Sequence, residues 1–156
     1  MPKLSLRRGF TLIELLVVIS IIALLSVVVF VALNPIKRFQ DARNSRRWSD
    51  VDNILTAIHT SIVDNGGSLP AGLTTGMSAK QLGTCASGGA TLCTGANAVC
   101  LDLATPLVKY LKSLPIDPQQ ASGTTTYGYS VAVDSNNIVT VTSCSAENSI
   151  VVSMSR

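Results

Sequence analysis

The chain has 156 residues, with 12 Lys and Arg against 9 Asp and Glu, a net charge of +3, four cysteines and one histidine. A lone histidine excludes a metal site built on a histidine pair, and neither a nucleophile elbow nor a phosphate-cradling glycine loop accompanies the serines and aspartates; the chain reads as a non-enzyme without a cofactor. The basic balance is local. Lys3, Arg7 and Arg8 all precede Gly9, and without them 9 bases face 9 acids.

Leu15 to Leu33 is a run of 19 uncharged residues interrupted only by Ser20 and Ser26, and counting from Phe10 gives 24. About 20 helical residues cross a hydrocarbon core, so 10–33 is predicted to be a spanning helix. A secretory signal peptide has a shorter apolar region, of about 7 to 15 residues, with a small-residue cleavage site behind it. Here the small residue, Gly9, stands in front of the apolar run. Cutting there removes a basic leader, 1–9, and leaves the apolar helix as the new N-terminus. Glu14 is the only acid in that helix. A carboxylate at such a place costs a few kcal/mol on insertion scales, and intramembrane acids usually have a partner. Cleavage creates one, because the new amine on Phe10 is four residues from Glu14, one turn of helix. The pairing runs within one chain, or between an incoming amine and Glu14 of a neighbouring subunit, and only the second sets an axial register. The plain alternative is a Glu14 that snorkels at headgroup depth.

The order Arg7, Arg8, Gly9, Phe10, Thr11, Leu12, Ile13, Glu14 followed by the long apolar run resembles the class III leader of type IV prepilins and pseudopilins. That resemblance implies cleavage after Gly9 by a membrane aspartyl prepilin peptidase, N-methylation of Phe10 and an assembly role for Glu14. It further implies self-assembly into a helical polymer with an assembly ATPase and a polytopic platform protein. The subunit would be a single-pass cytoplasmic membrane protein before assembly, in contact with lipid, and part of a cell-surface pilus afterwards.

Residues 34–65 are predicted to continue the helix, with Asn34 and Pro35 interrupting or kinking it because proline lacks a donor and clashes with the preceding turn. Trp48, Val51, Leu55, Ile58 and Ile62 recur at helical spacing, while Arg46, Arg47, Asp50 and Asp52 fall largely on the other side. Asp64 to Gly67 form a stop, with Pro70 beyond. A nearly continuous helix from Phe10 to Asp64 would reach about 80 Å at 1.5 Å per residue. Phe10 to Arg47 carries five bases against two acids, and Trp48 to Arg156 four bases against seven acids. The basic stretch either attracts the acidic head of another subunit or meets anionic lipid headgroups.

The head, 66–156, opens with a Gly-, Ser- and Thr-rich stretch read as a long surface loop over 66–101, which is unusual unless functional or stapled. Cys85, Cys93 and Cys100 lie in it and Cys144 follows later, an even count that suggests two disulfides among three connectivities. The expected pairs are Cys85 with Cys93 and Cys100 with Cys144. The spacings of 8, 7 and 44 residues contain no Cys-x-x-Cys knuckle, which speaks against zinc. A short helix is predicted over 102–114, and three antiparallel strands over 127–153, turning at Asp134 to Asn137. His59, beside Ile58 on a helix, reads as a solvated or packed imidazole. Asp117 and Asp134 are candidate cation ligands and, more simply, turn residues.

The fold class is thus α+β, a long N-terminal helix with a transmembrane half and an amphipathic half packed on a small C-terminal antiparallel sheet. That layout is similar to the pilin fold, and Leu114-Pro-Ile-Asp-Pro118 followed by Tyr127-Gly-Tyr129 resembles a segment of many pilins and major pseudopilins. The function implied is a structural subunit of a type IV pilus. The alternatives are a pseudopilin of a secretion or DNA-uptake system, and a minor tip pilin whose head binds DNA or a surface.

Overall fold

The computed structural model describes residues 9–156 and divides into two compact units, Met1–Arg38 and Phe39–Arg156. The leader bases Lys3, Arg7 and Arg8 lie outside the described residues.

In the first unit, α1 spans Leu12–Leu33, 22 residues, which at 1.5 Å each covers about 33 Å. It buries none of its residues, and its apolar side chains are exposed on every side, as a helix solvated by lipid requires. By length and composition it is able to cross a membrane. Its two hydroxyls bond back to the helix, Ser20 Oγ donating to Leu16 O and Ser26 Oγ to Ile22 O, both at 2.7 Å, so neither serine is left unpaired. The helix ends at Asn34, which is left-handed at φ 38°, a conformation that asparagine tolerates better than most residues. Pro35 then opens α2 (Pro35–Asp64) at the position where a missing donor costs nothing. The expected 55-residue run is therefore two helices, of 22 and 30 residues, and Phe10 belongs to neither.

In the second unit, α2 buries Val51, Ile54, Leu55 and Ile58 completely against Tyr129, Val131, Val139 and Val141 of the sheet. The packed stripe is rotated from the predicted one. Trp48 remains 40% exposed, whereas Arg47 and Asp50, expected on the solvent side, are buried at 0% and 8%. The helix closes on left-handed Gly66, with Gly66 N donating to Val63 O and Gly67 N to Ile62 O, a paired C-terminal cap.

The sheet has five strands in the order β2-β1-β3-β4-β5: β1 (Lys80–Gly83), β2 (Asn97–Leu101), β3 (Thr126–Val133), β4 (Val139–Ser143) and β5 (Ser153–Ser155). The predicted antiparallel sheet is corrected to a mixed one, because β1 and β2 run parallel. Both strands lie in the stretch expected to be a loop. At four and five residues they are too short, and too poor in β-branched residues, to show a period of 2. Between them sits one helical turn, α3 (Gly89–Leu92), part of the crossover that a parallel pair needs. The β3–β4 hairpin turns where predicted. Asp134 Oδ1 accepts from the amides of Asn136 and Ile138, each at 2.8 Å, and Asn137 is left-handed.

Two other boundaries move. The helix predicted over 102–114 is one turn, α4 (Ala104–Leu107), since Thr105, Pro106, Val108 and Ser113 are weak helix formers and Pro106 cannot donate. Leu103, Leu107 and Leu114 still reach the core, which accounts for their helical spacing. The third strand, expected over 150–153, begins only at Ser153, after the left-handed Asn148 and Ser149 have turned the chain.

Candidate assembly site and the buried arginine clamp

Glu14 is the third residue of α1, and its backbone N–H donates to Thr11 Oγ1 at 3.2 Å. Its Oε2 in turn accepts from Thr11 N and from Thr11 Oγ1, both at 2.8 Å. This is a capping box: the acid closes donors that the helix start leaves open, and the helix dipole favours its charge there. Glu14 therefore has an uncharged partner in its own chain, one that the Thr-x-x-Glu spacing signals and that a search for a counter-charge alone overlooks. Phe10 precedes the capping residue and is 81% exposed. The expected single turn of helix between Phe10 and Glu14 is thus absent, Phe10 standing before the helix. Among the described residues nothing comes within 4 Å of where a Cβ on Gly9 would be.

Two bases of α2, Arg43 and Arg47, are used within the head. Arg47 is fully buried, and all five of its N–H groups are taken. Nε donates to Asp117 Oδ2 at 2.6 Å, and Nη2 to Asp117 Oδ1 at 3.0 Å and to Gln119 Oε1 at 2.8 Å. Nη1 donates to Asn44 Oδ1 and to Glu147 Oε2, each at 2.9 Å. Arg43, one turn earlier, forks onto Glu147 at 2.7 and 2.6 Å, and Asn44 exchanges hydrogen bonds with the Glu147 backbone. Two segments distant in sequence are thereby fastened to α2: the Asp117–Gln119 turn and the β4–β5 connection. Neither Arg43 nor Arg47 is left to attract a neighbouring head.

The electrostatics follow the contacts. Hydrogen bonds from Arg43, then from Arg47, hold the Glu147 carboxyl down at about 2. Burial disfavours the Arg47 charge, but Asp117 and Glu147 outweigh it and its pKa rises; Glu147 also raises that of Arg43. Burial pushes the Asp50 carboxyl up, opposed by the Tyr129 hydroxyl donating to its Oδ2 at 2.7 Å. Burial, then Asp50, pushes the Tyr129 phenol well above its ordinary range.

Asp117 is reached only because residue 128 is glycine. Gly128 is left-handed at φ 83°, and a Cβ there would stand 2.6 Å from Asp117 Cβ. Both Asp117 oxygens are committed to Arg47, and Oδ1 also accepts from Gln119 N, so this carboxylate is a turn and clamp residue. Asp134 likewise closes its turn. His59 is half-buried, with no hydrogen bond to Nε2 among the described residues.

The four cysteines form two disulfides, with the pairing corrected to Cys85–Cys100 and Cys93–Cys144. The parallel β1–β2 pair explains the first, because it carries Cys100 beside Cys85, where Cys100 N donates to Cys85 O at 3.0 Å. The chain after α3 then brings Cys93 to the end of β4, at a Cα separation of 4.8 Å from Cys144. The sequence-local pairing does not form because β2 returns parallel to β1 and sets Cys100 beside Cys85, while α3 carries Cys93 away to Cys144.

Residues 4–30 match the family model of the prokaryotic N-terminal methylation motif. The chain carries that methylation motif. The motif is characteristic of type IV pilins and pseudopilins, and it covers Arg7, Arg8, Gly9, Phe10, the Thr11–Glu14 capping box and most of α1. No curated protein and no solved structure matches the chain. The methylation motif implies prepilin-peptidase processing and filament assembly in general, and with the apolar α1 it fits a membrane-anchored precursor.

Proposed function

We propose that the protein is a non-enzymatic structural subunit of a type IV pilus, held in the membrane by α1 as a precursor and polymerised through that helix after the cut following Gly9. One observation carries the reading: the methylation motif runs straight into a helix that exposes apolar side chains on every side and holds a single acid in its first turn. Lipid covers such a helix before assembly, and equivalent helices of other copies cover it in a filament. The Phe10 amine of an incoming subunit is the counter-charge proposed for Glu14. Prepilin peptidase, an assembly ATPase and a platform protein are the partners this route requires, and the cell surface is the destination.

The methylation motif serves pseudopilins equally, so a pseudopilus subunit is the second reading. The Thr-rich, disulfide-stapled head favours a surface-displayed pilin. Mass spectrometry of the N-terminus in a sheared cell-surface fraction tests both processing and destination. A chain beginning at methylated Phe10, abundant in the shaft, is expected. A shaft in which the protein is a trace component would indicate a tip or pseudopilus role, and an uncut chain would refute the reading.

A further inference from the structure

We infer that Lys37 and Arg38 bind the phosphate of an anionic phospholipid, in the leaflet that receives the C-terminal end of α1; this rests on the reading of α1 as a lipid-covered span. At 22 residues α1 covers about 33 Å, slightly more than a hydrocarbon core of about 30 Å, so the chain just beyond Leu33 lies among headgroups. Ile36 is 70% exposed, and Lys37 and Arg38 beside it are exposed as well. Arg38 Nε donates at 3.1 Å to the carbonyl of Leu33, the last residue of α1, which ties the guanidinium to the end of the span. Its Nη groups have no acceptor among the described residues and present the fork that takes up phosphate oxygens. The Lys37 ammonium adds a second positive charge next to it.

The fold divides the bases between Phe10 and Arg47 into two groups. Arg43 and Arg47 are taken up by Glu147 and Asp117, and Arg46 Nε lies 3.8 Å from Asp50. Lys37 and Arg38 form no ion pair among the described residues. Asp41, one turn further on, accepts from Asn148 Nδ2 at 2.8 Å. The head of another copy offers little in exchange: Asp52 faces Arg156 and Asp64 faces Lys109, both at 3.4 Å, and Asp134 closes its own turn. An anionic headgroup is the counter-charge that remains, and it lies at the depth where these two bases emerge. A zwitterionic headgroup brings its own cation and no net charge, so preference for anionic lipid is the signature of the site.

The test uses NMR of the full chain, one copy per lipid nanodisc, as phosphatidylglycerol replaces phosphatidylcholine stepwise. The amides of Lys37 and Arg38 and the Arg38 Nε–H are expected to shift saturably with the anionic fraction. Lys37→Gln, read at Arg38, and Arg38→Gln, read at Lys37, should each raise the midpoint about fivefold, the attraction of one base at an anionic surface. Arg38→Lys, which keeps the charge, should raise it less, and Lys112→Gln, which removes an exposed base of the head, should leave it unchanged. Mass mapping of both disulfides verifies that the head of each variant is folded. The inference is overturned if these resonances respond alike to both lipids while the α1 amides stay shielded from a water-soluble relaxation agent, a result that leaves the span standing. Unshielded α1 amides would overturn the span and the inference with it. Equal shifts in pure phosphatidylcholine on adding glycerol phosphate to the solution would assign the pair to a free phosphate, and on loading a second chain per disc to an acid of another copy; either result overturns the inference.

Discussion

Arg47 Nε lies 2.6 Å from Asp117 Oδ2 with both side chains fully buried, an ion pair that joins α2 to a turn 70 residues further along the chain. Such a pair is weak evidence of net stabilisation, because removing both charges from water costs about as much as their attraction returns. Breaking it is another matter.

Asp117→Ala leaves the Arg47 charge buried, with only Glu147 to balance it, and is expected to destabilise the head by about 3 to 5 kcal/mol. Denaturant unfolding of the parent, of Arg47→Met, of Asp117→Ala and of the double variant measures this directly. The double variant should be more stable than Asp117→Ala alone. Four curves showing strictly additive losses would remove the case for a clamp.

Glu147 supplies the acid response. Its folded pKa, about 2, is below the ordinary 4.5, so its contribution is fully present above pH 4.5 and is lost as pH falls toward 2. Asp50 runs the other way, because its folded pKa is raised, and it adds stability as pH falls through that raised value toward 3.8. Unfolding midpoints of the parent should therefore drop more steeply between pH 4.5 and 2 than those of Glu147→Gln. Parallel pH profiles would contradict the assignment.

The disulfides close loops of different length. Peptide mapping without reduction should recover Cys85 joined to Cys100 and Cys93 joined to Cys144. On the loop-closure model, the separation of 51 residues is worth about 4 kcal/mol and that of 15 about 3 kcal/mol. Replacing Cys93 and Cys144 by serine should thus lower the melting temperature more than replacing Cys85 and Cys100. A Cys85–Cys93 peptide in the native digest would restore the sequence-local pairing.

Glu14→Ala should still insert and be cut while filament yield falls at least about tenfold, a loss of roughly 1.4 kcal/mol per assembly step being enough for that. Quantifying sheared filaments against the membrane-held subunit reads the outcome. Wild-type filament yield would mean that Glu14 only caps its helix.

Gly9→Val is expected to leave the precursor uncut. Because a Cβ on Gly9 would meet nothing within 4 Å among the described residues, none of them resists a bulkier residue, and a block in processing reports on the peptidase site. An intact mass nine residues short in the variant would show that cutting does not require a small residue at position 9.

How far the sequence can be read differs along the chain, and the reasons are physical. The span, its acid and the break at Asn34 depend on residues within a few positions of one another, so composition and spacing are sufficient. The buried stripe on α2 departs from the expected one because charge alone sorts Arg47 and Asp50 to the solvent side. Arg47 sits four residues before Val51, on the buried face, and only acceptors 70 and 100 residues away make its burial tolerable. The stretch 66–101 looks structureless because its strands are short and β1 gains its order from β3, a neighbour distant in sequence, with β2 added on the edge of β1.

The sequence by itself determined the processing signal, the apolar helix, the capping box latent in Thr11 and Glu14, and the hairpin at Asp134, since each is local chemistry written in consecutive residues. Only the tertiary structure decided which bases of α2 are buried, which cysteines join, and that β1 and β2 run parallel. Those outcomes depend on which distant segments meet once the core closes around Ile54, Leu55 and Tyr129, and no spacing along the chain records that meeting.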